Sequence, residues 1–282
     1  MNPQSSVFPV RDNDPMQRRE FLKKMGALSG GTVAAMAVIP AVRLDAEISS
    51  PDDSRLETDM IQYPGASGEI QAYLTKLKGK EKLPAVMVIH ENRGLQPHIK
   101  DVARRMALEG FLVLAPDALS PLGGTPEDPD AARSKIGELD GETTIKDFVA
   151  AIEYLKTNPM STGKVGCTGF CWGGGLTNQV AVHAPDLLAA VPYYGRQPEA
   201  EGVSKIKASM IMHYAGLDER INAGIPAFEK ALKQAGIDYQ IYIYEGAKHA
   251  FNNDTNPDRY NKEAADLAWK RTVDFFKEKL KT

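Results

Sequence analysis

The sequence predicts an α/β fold with a mostly parallel sheet that is covered by helices on both faces. Apolar runs of four to eight residues, typical of buried strands, alternate with stretches whose apolar residues recur at helical spacing. Such regular alternation favours a parallel sheet between two layers of helices. No linker, internal repeat or low-complexity tract divides residues 57–282, which we therefore predict to form one domain.

The elements follow in order along the chain. Strands are predicted at 61–63, 69–77, 83–90, 111–115, 164–170, 188–193, 209–214 and 239–244. Helices are predicted at 99–109, 143–155, 174–183, 227–235 and 262–280. The first two strands flank a turn at 64–68, and the Gly- and Pro-rich segment 119–130 is predicted to be a long loop.

The first 46 residues are typical of an export signal rather than of the fold. Arg18 and Arg19, followed by Phe-Leu-Lys, resemble a twin-arginine signal, and a Gly- and Ala-rich apolar stretch follows at 25–38. That stretch is shorter than the ~20 residues of a membrane-spanning helix, although an amphipathic helix or an anchor stays open as an alternative. Cleavage after Ala46 would leave a polar lead-in at 47–56. We expect the protein to engage the twin-arginine machinery and to be periplasmic.

Composition excludes several function classes. The net charge is −3, and basic residues do not cluster, which argues against nucleic-acid binding. Two cysteines, Cys167 and Cys171, exclude a disulfide scaffold, and their spacing along a strand places them too far apart to pair. No paired ligand spacing indicates a metal, and no loop is typical of phosphate binding, so no cofactor is expected. The oligomeric state is not indicated.

Cys171 is the candidate nucleophile. It lies in Gly169-Phe-Cys-Trp-Gly173, between a predicted strand and a predicted helix. This is the G-x-nucleophile-x-G elbow of α/β-hydrolases with cysteine in place of serine. The sharp turn needs small flanking residues, and the helix N-terminus favours a thiolate. The alternative is a glycine-rich turn that contains a buried cysteine.

The fold places the acid and the histidine after the nucleophile, in that order. His249 follows the last predicted strand and is the candidate base, whereas His213 lies within a strand and is expected to be a core or supporting residue. Asp218 follows the preceding strand and is the candidate acid; its rivals are Glu219 and Glu245. A surface histidine and a turn carboxylate are the structural alternatives.

The loop after the 83–90 strand supplies a candidate oxyanion site. It reads His90-Glu-Asn-Arg-Gly94. The backbone N–H groups of Asn92 and Trp172 are expected to meet a developing oxyanion, and Glu91 is placed where it can reach the thiol.

Five motifs, in this order, resemble the dienelactone hydrolase (carboxymethylenebutenolidase) family from about residue 58 to the C-terminus. They are Val88-Ile-His-Glu-Asn-Arg-Gly94, Ala115-Pro-Asp117, Gly169-Phe-Cys-Trp-Gly-Gly174, Gly216-Leu-Asp218 and Gly246-Ala-Lys-His-Ala-Phe251. The resemblance implies an α/β-hydrolase in which Cys171 attacks an ester or lactone carbonyl. It also implies that Glu91 contacts the resting thiol and helps to form the thiolate when substrate enters.

The chain departs from this family at the substrate contacts. Dienelactone-cleaving members carry an arginine shortly after the histidine that grips the substrate carboxylate, and Asn253 stands at that place here. Arg93 and Arg196 could hold an anion instead, or could be surface cations. Tyr194 is expected to line the pocket or to be a packing aromatic.

Three functions are therefore compared. The first is hydrolysis of a small carboxylic ester or lactone through a Cys–His–Asp triad and an acyl-enzyme. The second is hydrolysis of a peptide or thioester by the same triad. The third, from another class, is a thiol redox or binding protein that uses Cys167 and Cys171; their extended spacing argues against a resolving pair.

Overall fold

The alternation of strands and helices is present in the computed structural model, which describes residues 48–281. Within these residues, eight strands form one sheet in the order β1-β2-β4-β3-β5-β6-β7-β8. The strands are β1 Leu56–Gly65, β2 Gly68–Leu77, β3 Leu83–Ile89, β4 Leu112–Pro116, β5 Ser161–Phe170, β6 Ala189–Tyr193, β7 Ser209–Ala215 and β8 Tyr239–Tyr244. β1 and β2 form an antiparallel hairpin, and β2 pairs antiparallel with β4. All other pairs are parallel, so the carboxyl ends of β3 to β8 share one edge.

The helices of the described residues alternate with the parallel strands. They are α1 Pro97–Leu108, α2 Pro129–Ile136, α3 Gly141–Thr157, α4 Trp172–His183, α5 Ala200–Val203, α6 Glu219–Asn222, α7 Ile225–Ala235 and α8 Lys262–Lys279, together with a 3₁₀ turn at Ser120–Leu122. Within residues 48–281, no helix is both long and apolar enough to cross a membrane.

Side chains of the central strands alternate between two hydrophobic clusters. On β3, Met87 and Ile89 pack in the cluster that α3, α4 and α7 complete. Val86 and Val88 pack in the opposite cluster, which includes apolar residues of α1 and α8. Because successive strand residues face opposite sides of a sheet, a strand buried on both faces must be apolar throughout. The predicted layers are confirmed.

The 119–130 segment is not wholly the loop that its Gly and Pro content predicted. Its start contains the 3₁₀ turn, and α2 begins within its last residues. The side chain of Asp128 accepts a hydrogen bond from the backbone N–H of Asp130, and Pro129 is the first helical residue. An aspartate cap followed by proline is a helix-start signal that the loop prediction overlooked.

The predicted lead-in is more structured than its polarity indicated. Leu56, its last residue, opens β1, which is longer than the predicted 61–63 strand. Ser49 is buried: its N–H donates to the Asp101 carboxylate at 2.7 Å, and its hydroxyl accepts from Arg104 Nε at 3.1 Å. Buried polar groups are paired in this way because leaving them unpaired is costly. The predicted twin-arginine signal at 1–46 lies outside the described residues.

Candidate functional site

Cys171 forms the tip of a sharp turn between β5 and α4. Its backbone has φ 55° and ψ −112°, a region that non-glycine residues rarely adopt. The strained residue is fixed by two backbone hydrogen bonds: its N–H donates to Tyr193 O, and its carbonyl accepts from Gly175 N–H, both at 3.1 Å. The turn therefore presents the thiol at the carboxyl edge of the sheet, as the elbow motif predicted.

The flanking glycines are required by close backbone contacts. A Cβ atom on Gly169 would lie 2.3 Å from Gly173 O, and one on Gly173 would lie 2.3 Å from His90 O. Both distances are far inside van der Waals contact, and the opposing atoms belong to the backbone. The backbone of the first turn of α4 thus packs directly against the end of β3, and this contact fixes the position of Cys171 relative to the sheet.

Cys171, His249 and Asp218 lie in hydrogen-bonding sequence. His249 Nε2 is 3.1 Å from Cys171 Sγ, and Nδ1 is hydrogen-bonded to Oδ2 of Asp218. The side chain of Asp218 is 7% exposed and that of His249 is 19% exposed. The histidine therefore joins a shielded carboxylate to the thiol, which is the arrangement that a nucleophile, base and orienting acid require.

Two short loops bring the acid and the base together. Asp218 follows β7 and caps α6, and His249 lies five residues beyond the end of β8. The N–H of Leu217 donates to the carbonyl of Ala247 at 3.0 Å, which ties one loop to the other. Ala250 adopts φ 68° immediately after the histidine.

The rival residues do not enter this arrangement. His213 is fully buried between the hydroxyls of Tyr244, at 2.9 Å, and Thr272, at 3.1 Å, and burial lowers its pKa to about 3. Glu219 and Glu245 are exposed. His213 is therefore a core residue, as its place within a strand predicted.

The two cysteines have different environments. Cys167 is fully buried within β5, where its sulfur lies 3.7 Å from Thr177 Oγ1 and burial raises its pKa to about 12. Cys171 is partly exposed and is unpaired. The two thiols form no disulfide, in line with the spacing argument.

The pKa of the Cys171 thiol is raised to about 11. Burial is the largest cause, followed by the negative charge of Glu91; the backbone N–H of Trp172 and the charge of Arg220 act in the opposite direction. At neutral pH the resting group is therefore the thiol, and attack on a substrate requires transfer of its proton to a base.

The predicted oxyanion donors lie around the thiol. Asn92 lines the cleft beside Cys171 and His249. Trp172 is the first residue of α4, and its N–H is directed at the Cys171 sulfur. The N–H groups of the first helical turn have no intrahelical acceptor, which leaves them available to an anion.

His90 supports this loop, a role that the sequence did not reveal. The Ala118 N–H donates to His90 Nε2 at 3.1 Å, so Nδ1 carries the proton and donates to the carbonyl of Glu91 at 2.6 Å. The imidazole is fully buried, which lowers its pKa, and it stacks on Trp172. A neutral, fixed imidazole thus joins the ends of β3 and β4 beneath the oxyanion loop.

Glu91 is bound to Asn253 rather than to the thiol. Asn253 Nδ2 donates to Glu91 Oε2 at 2.7 Å, whereas Asn253 Oδ1 accepts from the N–H and hydroxyl of Thr255. The two donors on Oδ1 fix the amide so that its nitrogen faces the glutamate. The side chain that hydrogen-bonds to the Cys171 sulfur is His249.

The other residues predicted to contact the substrate differ in their exposure. Arg93 is exposed and lies 3.3 Å from Asp130, and Arg196 is exposed and lies 3.8 Å from Glu199. Tyr194 is buried at φ 37°, with its ring centroid 5.1 Å from that of His249 and its hydroxyl without a hydrogen-bond partner among residues 48–281.

Two cavities in the described part of the chain are lined by the thiol of Cys171. One has a volume of about 660 Å³ and the other of about 690 Å³. Five residues line both: Asn92, Arg133, Cys171, Arg220 and His249. Arg133 and Arg220 could not be selected from the residue pattern, because they lie on α2 and α6, two helices that periodicity did not predict.

Comparison with known proteins places this chain in a family. The model of the dienelactone hydrolase family matches residues 70–280. A carboxymethylenebutenolidase homologue of Saccharolobus solfataricus is 33% identical over 255 residues, covering 77% of this chain and 97% of that protein. One of Escherichia coli K12 is 30% identical over 248 residues, covering 82% and 90%.

A solved structure shows the same architecture. The dienelactone hydrolase homologue from Klebsiella pneumoniae superposes with a TM-score of 0.70 at 26% identity, covering 78% of this chain and 98% of that chain. The fold is therefore that of the α/β-hydrolases. The extent of the family match, together with the 33% identity to a relative covered almost completely, identifies this chain as a member of the dienelactone hydrolase family of hydrolases.

Proposed function

We propose that this protein hydrolyses small carboxylic esters or lactones through an acyl-enzyme on Cys171. The observation that carries the proposal is the continuous hydrogen-bonded sequence from the Cys171 sulfur through His249 to Asp218, at a strained strand–helix turn. The names of the relatives support a lactone or ester as the substrate class.

In the acylation step, His249 Nε2 removes the thiol proton while Sγ attacks the carbonyl carbon. The carbonyl oxygen becomes an oxyanion that the N–H groups of Asn92 and Trp172 stabilise. When the intermediate collapses, the carbon–oxygen bond to the leaving group breaks, and the leaving oxygen takes the proton from His249. The products are a thioester on Cys171 and an alcohol, which in a lactone stays attached to the acyl group.

In the deacylation step, His249 removes a proton from water, and the resulting hydroxide attacks the thioester carbonyl. The carbon–sulfur bond then breaks, and the sulfur regains a proton from His249 as the acid is released. Asp218 accepts a hydrogen bond from the Nδ1–H group of His249 throughout and does not take the proton, which holds the base in the tautomer that both steps need.

Substitution of Cys171 by alanine tests the proposal, with Cys167→Ala as the matched control. We expect the Cys171 variant to lose hydrolysis of 4-nitrophenyl butyrate, whereas the Cys167 variant, which changes a buried thiol on the same strand, retains it. Mass spectrometry of the rapidly quenched wild-type protein should show one added acyl group on the Cys171 peptide. Wild-type turnover by Cys171→Ala would reject the proposal.

The predicted export signal bears on where in the cell this hydrolysis takes place. We propose that the protein acts outside the cytoplasm after export by the twin-arginine pathway. The support is the Arg18-Arg19 pair followed by the apolar stretch. This pathway carries folded proteins, and the substrate would then be a compound met in the periplasm.

A further inference from the structure

Ser49 is a buried residue in an exposed stretch of chain. Its exposed fraction is 5%, whereas Ile48 before it is 59% exposed, and the residues from Ser50 to Arg55 lie mostly at the surface. Serine is polar and is usually exposed, so the hydrophobic effect does not account for this burial. A single polar residue that turns inward indicates a site that binds its polar groups.

The site lies on α1 and binds every polar group of Ser49. The serine N–H donates to Asp101 Oδ1 at 2.7 Å, and the hydroxyl donates to the same oxygen at 2.5 Å. The hydroxyl also accepts a hydrogen bond from Arg104 Nε at 3.1 Å, and the serine carbonyl accepts one from Arg104 Nη2 at 3.1 Å. Two side chains of one helix therefore hold both the backbone and the side chain of one residue.

The serine hydroxyl bridges two buried charges. Asp101 is 1% exposed and Arg104 is 2% exposed. Arg104 Nη2 lies 3.8 Å from Asp101 Oδ1, which is beyond hydrogen-bonding distance. Buried charges are costly unless they are paired and hydrogen-bonded, and the hydroxyl bonds to both side chains. Ser49 thus completes a buried ion pair.

The rest of the segment has few bonds to the fold. Within the described residues, its hydrogen bonds join members of 50–56 to one another, as Arg55 joins Asp53. Its next bond to another element joins the carbonyl of Arg55 to the N–H of Lys78, which follows β2. Ser49 is therefore the anchor of residues 49–55.

We propose that Asp101 and Arg104 form a docking site for Ser49 that keeps residues 49–55 in the mature enzyme, so that removal of the export signal ends before Ser49. The docking depends only on the contacts described above, whereas the limit on processing also rests on the proposed export. The twin-arginine pathway carries folded proteins, so Ser49 is already docked when the signal is removed. Proteases cut exposed chain, and cleavage after Ala46 leaves the docked residue in place.

Limited trypsin digestion of the full-length chain tests the docking. Arg55 is the only basic residue between Arg43 and Lys76, so cleavage after it gives a product that begins at Leu56 and is recognised by its mass. Trypsin reaches this bond when the segment leaves its site. Ser49→Ala removes the bridging hydroxyl, and we expect cleavage after Arg55 to become about tenfold faster or more.

Ser50→Ala is the matched control, because it removes the same group from the exposed neighbour and should keep the wild-type rate. Cleavage after Arg196, an exposed arginine outside the segment, is the internal reference. General destabilisation accelerates cleavage at both arginines, whereas undocking accelerates it after Arg55 alone. Asp101→Asn should act like Ser49→Ala, which decides the matter alone should the aspartate variant not fold. Equal rates after Arg55 in the wild type and Ser49→Ala overturn the docking.

The intact mass of the protein recovered from the periplasm of a bacterial host tests the limit on processing. The mature chain should begin at or before Ser49. A chain that begins beyond Ser49 overturns the limit. A chain that is not exported rejects the export proposal, and the limit with it, while the trypsin result still decides the docking.

Discussion

The amide nitrogen of Asn253 donates a 2.7 Å hydrogen bond to Oε2 of Glu91, across 162 positions of sequence. The other carboxylate oxygen, Oε1, is buried without a hydrogen-bond partner among residues 48–281. The pair thus holds a negative charge near the Cys171 thiol without a hydrogen bond to the sulfur, which bonds to His249 instead. This charge has a measurable consequence for the thiol.

Glu91→Gln should lower the pKa of Cys171. A negative charge beside the thiol destabilises the thiolate, so its removal makes the thiolate easier to form, while burial still holds the pKa above that of a free thiol. The measurement is the rate of iodoacetamide alkylation of the Cys171 peptide between pH 6 and 10. In the wild type this rate should rise about tenfold per pH unit until the pH approaches the pKa of about 11.

In Glu91→Gln the alkylation profile should move to lower pH, with a faster rate at pH 7.5. Glu245→Gln is the matched control, because it removes an equal charge from an exposed position after β8. A profile that stays in place, or moves to higher pH, contradicts the role assigned to the Glu91 charge.

Asp218→Asn should reduce kcat for ester hydrolysis by about 10²- to 10⁴-fold while the protein stays folded. An amide can present its NH₂ to Nδ1 of His249, which favours the tautomer that protonates the nitrogen facing Cys171. The comparison is steady-state turnover of 4-nitrophenyl butyrate beside Glu219→Gln, an exposed neighbour in α6. Equal activity in both variants would remove Asp218 from the triad.

Gly173→Ala should destabilise the protein by about 1–3 kcal/mol, as overpacking does. The added methyl group meets His90 O at 2.3 Å and Ile89 O at 2.6 Å, and neither backbone atom can move without shifting β3. Urea unfolding followed by circular dichroism measures the change.

Gly175→Ala, two residues along the same helix, is the control for that substitution. Its nearest contact would be 3.5 Å, an ordinary distance, and alanine favours helix by about 1 kcal/mol over glycine. We therefore expect the free energy of unfolding to stay the same or to rise. A loss as large as that of Gly173→Ala would show that the helix, and not the contact with β3, sets the requirement.

Replacement of Arg18 and Arg19 by lysine should retain the precursor in the cytoplasm. Fractionation of a bacterial host followed by immunoblotting measures the distribution, and the control is Lys23→Arg with Lys24→Arg, which keeps the charge. Efficient export of the lysine variant would contradict the twin-arginine prediction.

The sequence was most informative where local geometry dictates residue type. The Gly-x-Cys-x-Gly pattern follows from the sharp turn and the close packing of α4. Strand-end positions predicted Asp218 and His249, the two residues that the structure brings into hydrogen-bonding sequence with Cys171. These relationships depend on short-range backbone constraints that leave a mark in the order of residues.

Contacts between loops that are distant in sequence could not be predicted from the order of residues. Asn253 could be recognised as a departure from the family pattern, but its bond to Glu91 depends on how the loops after β3 and β8 meet. Arg133 lies on α2, a helix that was not predicted and that begins within the last residues of the predicted loop 119–130. Arg220 lies on a helix of four residues that is too short to show periodicity. Their convergence at Cys171 is a property of the tertiary fold.

The close packing of α4 on the end of β3 means that different parts of the site tolerate substitution to different degrees. The backbone beneath Cys171 has no room even for one added methyl group. Arg133 and Arg220, by contrast, lie on short helices whose residues can be substituted without disturbing the contact between α4 and β3. In proteins that share this fold, the residues that line the two cavities can therefore change while the backbone beneath Cys171 stays the same.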